Sequence, residues 1–252
     1  MNDDFAGIAS ALPEPFRLLL RDTADSTNDE LRVLAATGAA DGLVLLALHQ
    51  TGGRGRRGAH WFAEPATSLA FSILVRPQEP QALWPRLALA AGLAVAEAVE
   101  SFGISAGLKW PNDVWVQQRK VAGILVEAGP DCAIVGIGLN VNTRSFPAEI
   151  SQIATSLCLA TGRELPRAEV LAAILWRFAL RRSQIDAHFE ELLDALRPRC
   201  VLTGRRVSLS TASGARQGLV EGIGPGGELL LRTPAGLERL IQADEVRILP
   251  PF

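Results

Sequence analysis

The stretch Gln50-Thr51-Gly52-Gly53-Arg54-Gly55-Arg56-Arg57-Gly58-Ala59-His60-Trp61 gathers four glycines and three arginines directly behind the apolar run Leu43-Val44-Leu45-Leu46-Ala47-Leu48. Glycine lets backbone N–H groups turn toward a ligand with no Cβ in the way, and arginine brings a forked donor that keeps its charge. A strand that delivers such a loop builds an anion site. No acidic residue lies between Asp41 and Glu64, so nothing nearby in the chain neutralises the three arginines. Three readings compete. A solvated surface turn is the plainest. Gly53, Gly55 and Gly58 also satisfy the spacing of a dinucleotide fingerprint, but that motif needs a helix to open at the loop. His60-Trp61-Phe62-Ala63-Glu64-Pro65 is too short and too proline-bound for one. The third reading is a flexible cationic loop that folds over a phosphate-bearing substrate.

Other polar groups fall at expected strand ends and turns. They are Ser26-Thr27-Asn28, Lys109-Trp110-Pro111-Asn112-Asp113 with Lys120, and Gly138-Leu139-Asn140. Each has a plain structural explanation by itself. Ser26 and Thr27 serve as helix caps, Asn112 and Asp113 as turn residues, and Lys120 as a solvated hairpin lysine. Asn140 can cap a strand end, and Trp61 and Trp110 can be core. Together they supply the adjacent Lys, Arg, Asn and Asp that a nucleoside triphosphate with its Mg²⁺ requires, since phosphate oxygens need fixed cations and the metal needs oxygen ligands.

The elements that must position these groups can be read from periodicity. Phe16 to Arg21 predicts a first strand broken by Asp22 to Thr27, with a helix from Thr27 to about Gly38. Ser68 to Val75 predicts a buried strand, and Gln81 to Phe102 a central helix stopped by Gly103. Gly107 to Val116, Val121 to Glu127 and Cys132 to Leu139 predict short strands joined by tight turns, one of them Gln117 to Lys120. Such connections argue for antiparallel pairing over βαβ crossovers. Helical periodicity returns from Arg167 to Leu196 with a break near Ser183, and Trp84 and Trp176 read as structural in their apolar helical surroundings. From Gly204 onward, short β runs separated by turns such as Gly224-Pro225-Gly226-Gly227 predict a small all-β barrel. The fold class is α+β, a mixed or antiparallel sheet with packed helices plus that barrel. The domains are 1–200 and 201–252, and there is no internal repeat.

Composition narrows the function classes. Of 252 residues, 48% are hydrophobic and 21% charged, with net charge −2, so nucleic-acid binding through bulk charge has little support. The acidic N-terminus lacks the layout of a secretory signal, and Leu87 to Val99 is too short and is broken by Glu97, which predicts a cytoplasmic protein without membrane association. Cys132, Cys158 and Cys200 read as buried thiols. His49, His60 and His188 are too scattered to form a metal cluster.

The motifs from Ser26 through Asn28, Gln50 through Trp61, Lys109 through Asp113, Lys120-Val121-Ala122-Gly123-Ile124-Leu125-Val126-Glu127 and Gly136-Ile137-Gly138-Leu139-Asn140-Val141-Asn142 resemble those of biotin–protein ligases, in order and from about residue 16 onward. The resemblance implies a ligase core like that of class II synthetases and a C-terminal SH3-like β-barrel. It implies activation of biotin by ATP, with Mg²⁺, to biotinyl-5′-AMP. The biotinyl group then passes to a lysine of the biotin carboxyl carrier protein of acetyl-CoA carboxylase or another biotin-dependent carboxylase. By the same resemblance, Ser26, Thr27, Asn28, Gln50, Arg54, Gly55, Arg56 and Lys120 contact biotin. Arg56 and Lys120 lie nearest the reacting carboxylate and phosphate. Arg57, Trp61, Asn112 and Asn140 serve the nucleotide, with Trp61 against the adenine, and Asp113 meets Mg²⁺. Only about fifteen residues precede the first strand, which matches the monofunctional type without a DNA-binding domain, as monomer or homodimer. Lipoate or octanoate ligation is the rival within this chemistry, and a nucleic-acid-binding module using the Arg/Gly loop is the rival from another class.

Overall fold

The computed structural model describes residues 3–211 and 214–250. Seven strands form one mixed sheet in the order β1-β2-β3-β7-β6-β5-β4. They are β1 (Arg17–Ala24), β2 (Leu43–Gln50), β3 (Ser68–Val75), β4 (Gly107–Lys109), β5 (Asp113–Val116), β6 (Arg119–Ala128) and β7 (Ala133–Asn140). Every neighbouring pair is antiparallel except β1 and β2, which run parallel. The expectation of antiparallel pairing therefore fails at this edge. The chain returns to it through helix α2 (Thr27–Ala36), and a helical crossover is what parallel neighbours need.

All eight residues of β3 are buried because both faces of the sheet are covered. Alternate side chains go to different cores. Leu45 and Leu74 join Leu31, Ala35, Cys132 and Ile134 beneath α2, while Val44, Leu46, Ile73 and Val75 join the large core on the opposite face. That face is packed by α3 (Arg86–Ser101) and α5 (Arg167–Arg182), with α6 (Phe189–Leu196) beside them. The predicted helix from Gln81 is a 3₁₀ turn followed by α3, which opens at Pro85, where a missing N–H costs nothing. The break near Ser183 separates α5 from α6 as expected. Trp84 is buried, but Trp176 is 58% exposed on α5, against the structural role expected for it. Two short helices, α1 (Phe5–Ala9) and α4 (Leu157–Thr161), have too few periodic positions to be read from sequence.

The C-terminal strands β8 (Arg206–Thr211), β9 (Gly214–Ile223), β10 (Leu229–Thr233), β11 (Gly236–Leu240) and β12 (Glu245–Ile248) form a five-stranded antiparallel sheet in the order β11-β10-β9-β8-β12. Its inner residues Val207, Leu209, Val220, Leu229, Leu231 and Val246 join the large core of the first sheet. Trp110 Nε1 donates to the Gly227 carbonyl at 3.0 Å, tying the Lys-Trp-Pro-Asn-Asp turn to this sheet. Among the described residues, no helix is long and apolar enough to cross a membrane.

Candidate active site

A cleft of about 870 Å³ opens where the start of α2, the Gly/Arg loop, the turns around β4 to β6, the middle of β7 and strand β12 converge. It is lined by Ser26, Thr27, Asn28, Gln50, Arg54, Gly55, Arg56, Trp61, Asn112, Asp113 and Lys120, which brings most of the sequence-expected residues together.

At the α2 end the groups are neutral and tightly bonded. Ser26 is the N-cap of α2, its Oγ accepting from the Asp29 N–H at 3.4 Å. Thr27 donates twice to Gln50 Oε1, from its backbone N–H and from Oγ1, both at 3.0 Å. Ser72 Oγ, wholly buried on β3, lies 2.7 Å from Thr27 Oγ1 and 2.6 Å from Asn28 Oδ1 as donor. Asn28 Nδ2 in turn donates to Glu127 Oε2 at 2.6 Å. Ser72 and Glu127 were not singled out from sequence as binding residues. A serine within an otherwise apolar strand, opposite a polar helix start, was the available signal.

The floor of the cleft is made by glycines. Gly123 on β6 and Gly138 on β7 are cross-strand partners, and the Trp61 indole lies over them. A Cβ on Gly138 would stand 2.3 Å from the ring, and one on Gly136 would stand 2.3 Å from Asn28 Oδ1. Glycine inside a strand marks a close approach, and that was the sign to read in Gly136-x-Gly138. Trp61 Nε1 is buried against the Gly138 backbone without a hydrogen-bond partner among the described residues.

The Gly/Arg loop is a small closed hairpin. The Gly55 N–H donates to the Ala59 carbonyl at 2.6 Å and the Trp61 N–H to the Gly53 carbonyl at 2.9 Å. The tip turns through left-handed backbone at Arg57 (φ 58°) and Gly58 (φ 75°). Its arginines are not equivalent, and the expectation that nothing neutralises them is overturned for two of them. Arg54 is held by Asp29 through two bonds, 2.5 and 2.7 Å, with Glu127 at 3.9 Å. Those bonds, and after them one from Arg32, hold the Asp29 carboxyl at about 2, below the ordinary carboxylate range. Arg57 pairs with Asp244, just ahead of β12, and does not line the cleft where the nucleotide was expected to meet it. Arg56 alone of the three has no carboxylate within ion-pair distance among the described residues. Its closest polar partner is Asn112 Oδ1, to which Nη1 donates at 3.4 Å. Burial, then repulsion from Arg57, pushes its pKa down from the ordinary arginine value.

Opposite the neutral end the cleft is cationic. Lys120 Nζ lies 2.7 Å from Asp113 Oδ1 and 5.6 Å from the Trp61 ring centroid. Lys109, not assigned a role from sequence, lines the same wall with Nζ 4.9 Å from the Trp115 ring centroid, and burial lowers its pKa first of all. Glu245 and Arg247 of β12 close this side. Asn140 is buried, donates to the Thr155 carbonyl at 3.1 Å, leaves its Oδ1 without a partner among the described residues and does not line the cleft.

A mixed sheet with a cationic glycine loop over a polar cleft is the arrangement of an acid-activating ligase. The chain belongs to the biotin/lipoate A/B protein ligase family, whose model matches residues 21–142. A biotin–[acetyl-CoA-carboxylase] ligase of Paracoccus denitrificans is 35% identical over 237 residues, 88% of this chain and 96% of its own length. A bifunctional ligase/repressor of Bacillus spizizenii is 34% identical over 236 residues, 90% of this chain and 73% of its own. The solved biotin protein ligase from Aquifex aeolicus, in complex with biotin and ATP, has a TM-score of 0.85 at 34% identity, covering 92% of this chain and 99% of that one.

Proposed function

We propose that this protein activates biotin with ATP to biotinyl-5′-AMP, releasing pyrophosphate, and transfers the biotinyl group to a lysine of a biotin carboxyl carrier protein. The observation that carries the reading is the division of one cleft into a neutral hydrogen-bonding end and a cationic end, with Arg56, alone of the loop's three arginines, within ion-pair distance of no acid among the described residues. A fused ureido ring is neutral and rich in directional donors and acceptors, which suits Ser26, Thr27, Asn28 and Gln50. The carboxylate of the acid must approach the α-phosphate of ATP, and two anions repel. Arg56 and Lys120 offset that repulsion where charge builds up, so the site works by positioning and electrostatics, without an enzyme nucleophile. Gly55 leaves the loop backbone open to the ligand, and Trp61 and Asn112 flank the nucleotide.

Among the described residues no group of three or more His, Cys, Asp or Glu could cage a metal. Asp113, whose Oδ1 meets Lys120, is the carboxylate on this wall that would hold a Mg²⁺ ion carried in on the phosphates. Such an ion adds neutralising charge at the phosphates. The lid role of the loop follows from chemistry: an acyl-adenylate exposed to water hydrolyses, and a loop that closes over it delays that loss. Residues 1–200 form the catalytic domain and 201–252 the C-terminal domain in this reading, and the protein works in the cytoplasm.

Nucleic-acid binding by the loop is disfavoured because Arg54 and Arg57 already face acids of the chain itself. Pyrophosphate release from ATP and Mg²⁺ tests the proposal, with biotin, lipoate, octanoate or no acid supplied in parallel. Release with biotin alone is expected. Release with lipoate or octanoate in its place would keep the adenylation chemistry and discard the substrate.

A further inference from the structure

The Gly/Arg loop is anchored on two different elements of the fold. Arg54, near its base, is held by Asp29 of α2, on the first sheet. Arg57, at the hairpin tip, reaches Asp244 of the C-terminal sheet. The two partners at the tip differ in freedom. The Asp244 backbone N–H donates to the Ser210 carbonyl at 2.7 Å, and its side chain is 15% exposed, whereas that of Arg57 is 58% exposed. The carboxylate is therefore the fixed post and the guanidinium the moving hook. Asp244 and the residues after it, Glu245 to Ile248, line the same cleft, so the bridge sits at its edge. Left-handed backbone at Arg57 and Gly58 aims the hook.

We propose that Asp244 is a positioning residue that latches the loop tip to the C-terminal sheet through Arg57, so that the cleft opens for exit of its contents when this ion pair breaks. A pair this exposed biases an equilibrium by roughly twofold to fivefold and weakens with salt. Such a latch slows escape without locking product in. What it retains rests on the adenylation reading above; the latch itself belongs to the ligand-free chain and is tested there.

The test is limited trypsin digestion of the full chain at low salt, following cleavage after Arg54 and Arg56 by mass spectrometry. Asp244→Asn is expected to raise the cleavage rate about threefold, the size such a pair supports. High salt should erase the difference, and the exchanged pair Arg57→Asp with Asp244→Arg should restore protection. Equal cleavage of wild type and Asp244→Asn at low salt would overturn the latch. Should Asp244→Asn fail to fold, Arg57→Gln answers the same question from the other partner. A second readout is capture of escaped biotinyl adenylate by a free amine, relative to pyrophosphate formed. It should rise about threefold in Asp244→Asn and return in the exchanged pair, which a merely structural role for Asp244 would not produce. A wild type that makes no adenylate from biotin would sink the functional proposal while the digestion still decides the latch. Adenylate formation with unaltered digestion sinks the latch alone.

Discussion

The two ends of the cleft solve opposite problems. At the α2 end, Ser26, Thr27, Asn28, Gln50 and Ser72 are uncharged, and most of their polar atoms already have partners within the protein. At the β12 end, Arg56, Lys109 and Lys120 stand within one wall with Asp113 as the nearest carboxylate, and like charge acts against like. A fully bonded neutral net is cheap to hold and gives shape, while gathered cations cost free energy until an anion arrives. The contrast teaches that the cost of the site is gathered at the cationic end, where charges are desolvated beside one another, and is small at the neutral end. It predicts that substitutions at one end alter rate and at the other alter affinity.

The largest effect should come from Lys120→Met. It removes a cation from the reacting region and leaves the Asp113 carboxylate without its 2.7 Å partner. Single-turnover adenylate formation should fall by roughly 10²–10³-fold, the scale of losing one charge-stabilising donor. Biotin binding measured calorimetrically should change far less. Equal losses in rate and affinity would mean that the two ends do not work separately.

Gly138→Ala attacks the floor instead. Its new Cβ would lie 2.3 Å from the Trp61 ring, so the indole must lift from the sheet. Because Trp61 flanks the nucleotide in the proposed reading, ATP affinity should weaken about tenfold, with the adenylation rate at saturating ATP much less affected, as overpacking of this kind typically costs about 1–3 kcal/mol. A rate that falls while affinity holds would place the floor with the cationic end.

Ser72→Ala is a smaller change at the neutral end. It deletes the buried hydroxyl that joins Thr27 Oγ1 to Asn28 Oδ1. Denaturant unfolding should show a loss of about 1 kcal/mol, the net value of a typical hydrogen bond, and biotin should bind several-fold more weakly. Unchanged biotin affinity would show that Thr27 and Asn28 keep their places without it.

How far this comparison was open to the sequence differs between its halves. The cationic end was legible because arginine, lysine and glycine signal by type and the Lys-Trp-Pro-Asn-Asp turn sits between strands that alternate plainly. The neutral end was legible only as helix caps at Ser26 and Thr27, since Ser72 hides within an apolar run and its partner lies on another element. The state of the three arginines was illegible. Local sequence holds no acid near them, yet Asp29 and Asp244 reach two of them through tertiary folding. Strand direction failed for a similar reason, because period-2 patterning fixes which face is buried and not how β1 runs beside β2. Trp176 misled because apolar neighbours in a helix do not say which stripe faces outward.

The smallest expected effect tests the anchor that ties the base of the Gly/Arg loop to α2. Hydrogen bonds from Arg54, and after it from Arg32, hold the Asp29 carboxyl at about 2, below its ordinary 3.8. A carboxyl whose folded pKa is depressed contributes its stabilisation above the unfolded value and loses it as pH falls through the folded one. The Arg54 anchor should therefore be intact above about pH 4 and loosen toward about pH 2. Asp29 is 39% exposed, so solvent screening keeps the effect modest. Amide protection of residues 53–61, taken relative to the intrinsic exchange rate at each pH, should fall across that window in wild type, while Asp29→Asn should be less protected at neutral pH and show little further loss there. An unchanged acid profile in Asp29→Asn would mean that another carboxylate, with Glu127 beside Arg54 the first to examine, holds the base of the loop.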